Sequence, residues 1–321
     1  ADLIDVLETR AEMGLGDETK IRLEIGRIRE MELEDVEGAI AIYEDVLSFD
    51  DTQRDALDRL VLLYGKTDNF ERLTEVYERL LDTVESDDER IQYCEYLALL
   101  QRQAHSNLDA AADYYHRMLN IEPAHMTALE ALEEIYTEQE QWEELLDIYR
   151  KWLDQVIDNE AVWITLKEKS SKIYRGNLDD PDNAIYALIE LLERVPSNRS
   201  AMDSLQSLYE ETEQWESVQE ILEKKANYSA DADERISLLC ERAGIVFEKL
   251  SDPDTSIEVL NQALEGDSGN DRALTLLEQV YASRSEWENV IEVLHRRDLH
   301  AGTDATKAGV QARIAQVYQN E

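Results

Sequence analysis

Residues 124–157 read AHMTALEALEEIYTEQEQWEELLDIYRKWLDQVI, and variants of this stretch occur four times in the chain. Apolar residues fall every three or four positions on both sides of a short linker at 138–140, a spacing typical of two amphipathic helices. The recurring positions are separated by 72 or 73 residues and are occupied by Ala56, Leu57, Leu60, Leu63 and Tyr64; Ala128, Leu129, Leu132, Ile135 and Tyr136; Ala201, Met202, Leu205, Leu208 and Tyr209; and Ala273, Leu274, Leu277, Val280 and Tyr281. Self-similarity at a fixed period indicates a solenoid of stacked repeats.

An aromatic residue follows the linker in every repeat. These residues are Phe70, Trp142, Trp215 and Trp287, again 72 or 73 residues apart. Because they recur in each repeat, we interpret them as packing between helix pairs rather than as a ladder for a ligand. Trp152 and Trp163 have no aromatic counterpart in every repeat. We interpret these two as packing as well, with local specialisation as the alternative.

Each period contains two pairs of predicted helices. In the second repeat they cover 89–103, 107–120, 124–138 and 141–157. No segment alternates with period two, so no strand is predicted. Residues 1–321 are expected to form a single solenoid, with the end of a preceding repeat at 1–18, full repeats at 19–89, 90–160, 161–234 and 235–303, and the start of a fifth at 304–321. Pro181 and Pro253 each follow an Asp, as a first helical residue follows its N-cap.

Composition favours a folded, acidic protein without a membrane anchor. The hydrophobic content of 43% is sufficient for a continuous core, and the net charge is −41. Such a charge disfavours nucleic acid and anionic membranes and favours basic partners. The alternative is that the acidity only keeps the exposed helices soluble. No apolar stretch long enough to cross a membrane and no signal segment is present. Cys94 and Cys240 are predicted to be free, buried thiols, and a cytoplasmic location is expected.

The sequence contains no pattern specific to catalysis, to a cofactor or to a metal. The five histidines lack the spacing of a helical zinc site. Gly14-Leu15-Gly16 lacks the rest of a phosphate-binding loop and follows a helical pattern rather than a strand. Acidic residues are so abundant that a pair of carboxylates has no diagnostic value. We therefore predict no enzymatic activity, no cofactor and no metal site.

The second half of each period resembles the tetratricopeptide repeat, a helix hairpin of 34 residues. In the second repeat the positions that carry the resemblance are Leu129, Leu132, Tyr136, Trp142, Leu145 and Tyr149. The resemblance implies an all-α, right-handed superhelical α–α solenoid with about eighteen helices and eight complete hairpins between residues 19 and about 300. The doubled period is similar to that of long acidic bacterial arrays. The sequence departs from the family where Val61, Glu133, Gln206 and Glu278 replace a small residue, so looser packing is expected there.

The resemblance also implies where a partner would bind. In tetratricopeptide arrays the first helix of each hairpin lines a concave groove, and its free face selects the ligand. The corresponding residues here are Asp55, Asp58, Glu130, Glu134, Asp203 and Glu210. A groove of this charge favours a basic or extended protein segment and disfavours acidic chaperone tails. The basic residues Lys167, Lys169, Lys172 and Arg175 are interpreted as neutralising nearby carboxylates.

Three functional classes remain open at this stage. The favoured prediction is a non-catalytic scaffold for protein–protein interaction. The alternatives are a structural spacer in a giant multidomain protein and a non-catalytic region of an enzyme whose active site lies elsewhere. Because the chain starts and stops within a repeat, we expect it to be a piece of a longer array, with an apolar stripe that includes Leu3, Val6, Ile314 and Tyr318 at its ends. Weak end-to-end self-association is therefore expected.

Overall fold

The computed structural model describes residues 2–320, which form 18 helices and no strands. The predicted all-α fold of helix hairpins is confirmed. The chain divides into two compact units, 1–158 and 159–321. The N-terminal unit contains α1 (Asp2–Glu12), α2 (Glu18–Met31), α3 (Val36–Phe49), α4 (Arg54–Lys66), α5 (Phe70–Thr83), α6 (Asp87–Gln103), α7 (Leu108–Ile121), α8 (Met126–Glu138) and α9 (Trp142–Gln155).

The C-terminal unit likewise consists of helices joined by short connections. It contains α10 (Glu160–Gly176), α11 (Pro181–Arg194), α12 (Arg199–Glu211), α13 (Trp215–Tyr228), α14 (Ala232–Glu248), α15 (Pro253–Gly266), α16 (Asp271–Ser283), α17 (Trp287–His300) and α18 (Asp304–Asn320). Pro181 and Pro253 lie in the first turn of their helices, as predicted. The preceding Asp180 and Asp252 accept a hydrogen bond from the backbone N–H of Asn183 and Thr255, each at 3.1 Å.

The turn inside every hairpin contains one residue in the left-handed region. These residues have φ between 51° and 59°, and none of them is a glycine: Glu34, Asp68, Ser106, Glu140, Asp179, Glu213, Ser251 and Ser285. The next residue returns its backbone N–H to the end of the first helix, as Gln141 does to the carbonyl of Tyr136 at 2.9 Å. That same residue is the N-cap of the second helix. The turn is therefore short, with three or four residues between the two helices, and it makes them antiparallel neighbours.

The recurring apolar positions form the core of each unit. The four alanines of the repeat, Ala56, Ala128, Ala201 and Ala273, are completely buried, and their small side chains allow adjacent helices to approach closely. Cys94 and Cys240 are free and buried, as predicted. At the ends of the chain, Leu3, Val6 and Tyr318 are exposed. Ile314 differs from the prediction, because it is half-buried against the cluster that contains Val290 and Leu294.

Candidate protein-interaction surface

The first helices of successive hairpins lie side by side in the N-terminal unit. Charged side chains connect α2 to α4, α4 to α6 and α6 to α8. The pairs are Arg27 Nη2–Asp55 Oδ2 at 3.1 Å, Arg54 Nη2–Glu89 Oε1 at 3.2 Å and Arg102 Nη1–Glu134 Oε2 at 2.9 Å. We call the exposed sides of the even-numbered helices in each unit the first-helix face. This is the surface on which the sequence analysis predicted that a partner binds.

The C-terminal unit builds its first-helix face in the same way. Arg175 on α10 pairs with Glu211 on α12. Arg199 Nη2 on α12 lies 2.8 Å from Glu234 Oε1 on α14, and Arg272 on α16 donates to Ser237 Oγ on α14 at 3.2 Å. Arg313 Nε on α18 lies 2.9 Å from Glu278 Oε1 on α16. These ion pairs and hydrogen bonds hold each first helix against the next one in the unit.

The six carboxylates predicted to line the groove are all exposed, and the structure divides them between the units. Asp55, Asp58, Glu130 and Glu134 lie in the N-terminal unit; Asp203 and Glu210 lie in the C-terminal unit. Five of the six have a partner on the same face. Besides the pairs of Asp55 and Glu134, Asp58 lies 3.0 Å from Arg54 Nε, Asp203 lies 3.1 Å from Arg199 Nε, and Glu210 accepts from Gln206 at 2.8 Å. Glu130 has no ion-pair partner among the described residues.

Arginine therefore shapes this face more than the acidic composition suggested. Arg54 binds both Asp58 and Glu89, and Arg199 binds both Asp203 and Glu234. The two arginines occupy equivalent positions in the first and third repeats. The face presents carboxylates held in fixed positions by neighbouring arginines rather than a bare acidic strip.

On α10, Lys167 and Arg175 contact carboxylates. Lys167 Nζ lies 2.6 Å from Glu190 Oε2 and sits over the ring of Trp163, with 5.5 Å between Nζ and the ring centroid. Arg175 pairs with Glu211. These contacts agree with the neutralising role inferred from the sequence. Trp163 is half-buried, and Trp152 is almost fully buried.

An apolar cleft between α5 and α6 was not predicted. It has a volume of about 420 Å³ and is lined by side chains that include Phe70, Tyr77, Tyr96 and Leu99. The rings of Tyr77 and Tyr96 are tilted against each other with their centroids 5.3 Å apart. Burial and the neighbouring Tyr96 and Tyr93 raise the pKa of Tyr77. Phe70 was interpreted as packing, yet 40% of its surface is exposed. The available sequence signal was that Phe70 stands where the other repeats have the larger Trp.

The described residues offer little for metal or membrane chemistry. Within residues 2–320, no group of three or more His, Cys, Asp or Glu side chains is arranged to hold a metal ion. None of the described helices combines the length and apolar character that a bilayer crossing requires. The strongest perturbations of acid–base equilibria are in buried tyrosines. Burial, reinforced by a hydrogen bond to Glu133, raises the pKa of Tyr149.

One hairpin of the chain matches the model of a known family. Residues 128–160, which include α9 and most of α8, match the model of the tetratricopeptide repeat family. No curated protein matches the chain. A crystal structure of a tetratricopeptide repeat protein from Parabacteroides merdae ATCC 43184 is similar at 14% identity, covering 82% of this chain and 97% of that one, with a TM-score of 0.32. The crystal structure of MamA protein is similar at 16% identity, covering 56% and 93%, with a TM-score of 0.34.

Proposed function

Because the chain is a tetratricopeptide-like repeat protein, we propose that it is a non-catalytic scaffold that binds a basic, extended segment of a partner protein on its first-helix face. The observation that supports this most directly is the set of exposed carboxylates on two helices that flank α6 in the N-terminal unit. Asp55 and Asp58 lie on α4, and Glu130 and Glu134 lie on α8, in a chain of net charge −41. Basic segments are drawn to such a surface by long-range attraction and are then oriented by individual carboxylates.

The arginines on this face do not prevent such binding. Exposed ion pairs contribute only about 0–1 kcal/mol each, so a partner's lysine or arginine can share or replace them at little cost. Glu130 is exposed and has no ion-pair partner among the described residues. The two helices that carry the four carboxylates are both neighbours of α6. An extended segment that crosses α4, α6 and α8 can therefore contact several carboxylates at once, which gives useful affinity from weak individual contacts.

A charge-removal experiment tests the proposal. The probe is a fluorescent, unstructured peptide of lysine, glycine and serine, followed by anisotropy at low salt. The variant Asp55→Asn, Asp58→Asn, Glu130→Gln and Glu134→Gln should weaken its binding by about tenfold or more, since four contacts of a few tenths of a kcal/mol are lost. Raising the salt should weaken binding by the unaltered chain, because the attraction is screened.

The matched control removes equal charge from the second helices. Asp82→Asn, Asp113→Asn, Glu143→Gln and Glu144→Gln change four exposed carboxylates on α5, α7 and α9. This variant should bind the probe nearly as well as the unaltered chain. An equal loss in both variants would mean unspecific attraction to an acidic protein. A chain that does not bind the probe at all would favour the structural spacer or the non-catalytic region of an enzyme.

A further inference from the structure

We propose that the cleft between α5 and α6 is the specificity pocket of this scaffold and that it accepts one large apolar side chain from the basic partner segment. The inference rests on the proposed function for the basic character of the partner, and it adds the residue that the partner must carry. The cleft lies entirely within the N-terminal unit, between the second helix of one hairpin and the first helix of the next.

The cleft has the size and lining of a side-chain pocket. Its volume of about 420 Å³ exceeds that of any single side chain, and Leu73, Leu100 and Ala104 contribute to its apolar wall. Phe70 and Tyr96 are each 40% exposed and Leu99 is 37% exposed at its rim. Half-exposed aromatic and aliphatic side chains around one concave site are the usual surroundings of an anchor residue in a protein interface.

The equivalent junction in the C-terminal unit shows how the array closes this cleft elsewhere. Trp215 on α13 corresponds to Phe70, and Lys249 at the end of α14 corresponds to Ala104. Lys249 Nζ lies over the Trp215 ring, 4.6 Å from its centroid. A larger ring and a long covering side chain thus fill the space at that junction. With Phe70 and Ala104 both groups are smaller, so the cleft between α5 and α6 stays open.

The positions at the rim also differ between repeats. Tyr96 and Leu99 correspond to Lys169 and Lys172 in the third repeat and to Glu241 and Gly244 in the fourth. The small residues that leave the cleft open and the apolar residues at its rim therefore occur together where the second repeat begins. The sequences of the third and fourth repeats lack this combination. A feature of one repeat that the repeat pattern does not require points to a specific role rather than to general packing.

Charge complementarity identifies the occupant as part of a basic segment. Asp88 and Glu89 lie in the first turn of α6, and Glu89 precedes Tyr96 by seven residues, which places both on one side of the helix. Asp88 is exposed and has no ion-pair partner within the described part of the chain. The distance along the helix is roughly 10–12 Å at about 1.5 Å per residue, which an extended chain spans in about three or four residues. The expected partner therefore carries Lys or Arg three or four residues from a large apolar residue.

The test uses the full chain and two labelled peptides of about twelve residues, built from Gly and Ser. Both carry a pair of lysines, and one carries a phenylalanine three or four residues away where the other has serine. The phenylalanine peptide should bind about tenfold or more tightly, because the pocket buries the ring. The variant Phe70→Trp with Ala104→Lys copies the residues found between α13 and α14. It should abolish this gain in affinity while leaving the affinity for the serine peptide unchanged. Leu99→Lys, which copies the third repeat, should reduce the gain as well and serves if the double variant does not fold.

The reciprocal variant provides the matched control. Trp215→Phe with Lys249→Ala should open a cleft between α13 and α14. It should not reduce the tighter binding of the phenylalanine peptide at the cleft between α5 and α6. Equal binding of the two peptides to the unaltered chain would overturn the pocket while leaving the scaffold proposal intact. A gain that persists in both Phe70→Trp with Ala104→Lys and Leu99→Lys would also overturn it. A gain that survives replacement of both lysines by serine would support the pocket and refute the basic partner.

Discussion

Polar residues inside the hairpins show what single residues contribute. Val61, Glu133, Gln206 and Glu278 replace the small residue of the tetratricopeptide pattern, and looser packing was expected. The three polar ones instead bind the second helix of their own hairpin: Tyr149 donates to Glu133 at 2.7 Å, Lys225 to Gln206 at 2.6 Å, and Arg297 to Glu278 at 2.9 Å. Pairing of this kind removes the cost of burying the polar group. The position was visible in the sequence, but its three different partners were not.

His116 provides a test at the residue scale. Its Nε2 lies 2.6 Å from the hydroxyl of Tyr136. Burial, with a smaller effect from Lys151, lowers the pKa of His116 below its ordinary value. The folded chain therefore binds a proton less readily than the unfolded chain. The stabilisation is fully present above about pH 6.5 and is lost as the pH falls from there through the lowered pKa, with a slope below about 1.4 kcal/mol per pH unit.

Urea unfolding between pH 7.5 and 5.5 measures this effect. The unaltered chain should lose more stability over this interval than His116→Gln, which has no titrating ring at that position. The ring protons of His116, followed by NMR, should titrate below the ordinary histidine pKa. A normal or raised pKa, or identical pH dependence in the two chains, would contradict the prediction.

At the scale of elements, the hairpin turns carry unrelieved backbone strain. Glu140 has φ of 55°, a conformation that L residues avoid and glycine adopts freely. Replacing Glu140 by Gly should raise the free energy of unfolding by about 0.5–1 kcal/mol, whereas a β-branched Val should lower it by about 1–2 kcal/mol. Glu138→Gly, in the last turn of α8, is the control and should be destabilising, because glycine disfavours helix. Thermal or urea unfolding distinguishes these outcomes; stabilisation by both glycines would refute the turn argument.

The helices themselves were predictable to within two residues at most ends. In the second repeat, 89–103 was predicted and Asp87–Gln103 is observed, and 141–157 was predicted where Trp142–Gln155 is observed. Apolar periodicity determines such elements locally. The left-handed residues share no residue type, since Glu, Asp and Ser all occupy the position. The cleft between α5 and α6 escaped prediction because it depends on Phe70 and Ala104 together, on two different helices.

At the scale of the whole molecule, the exposure of the acidic residues was predictable, but their ion pairs with arginines of other helices were not. The sequence placed six carboxylates on one face of the first helices, and all six are exposed. It did not reveal that Arg27 and Arg102 reach across from neighbouring helices to bind two of them, Asp55 and Glu134. Contacts of this kind join residues of different helices and follow from hairpin stacking, which a single helical pattern does not encode. Interaction with a basic partner on this face remains a prediction for that reason.

Net charge should also control whether copies of the chain associate through their exposed apolar ends. Leu3, Val6 and Tyr318 are 54%, 55% and 59% exposed on α1 and α18. At low salt, repulsion between chains of charge −41 should keep the protein monomeric. As salt approaches 1 M, the Debye length falls to about 3 Å, so the repulsion is screened while apolar contact is preserved. Light scattering should therefore show an apparent mass that rises with salt.

A charge-neutral pair of substitutions separates apolar contact from other causes of association. Leu3→Glu with Val6→Lys makes the exposed side of α1 polar while leaving the net charge unchanged. This variant should stay monomeric over the salt range in which the unaltered chain associates. If both chains associate equally, the contact lies elsewhere on the molecule. If the unaltered chain stays monomeric at every salt concentration, the exposed side chains of α1 and α18 are too few to hold two copies together.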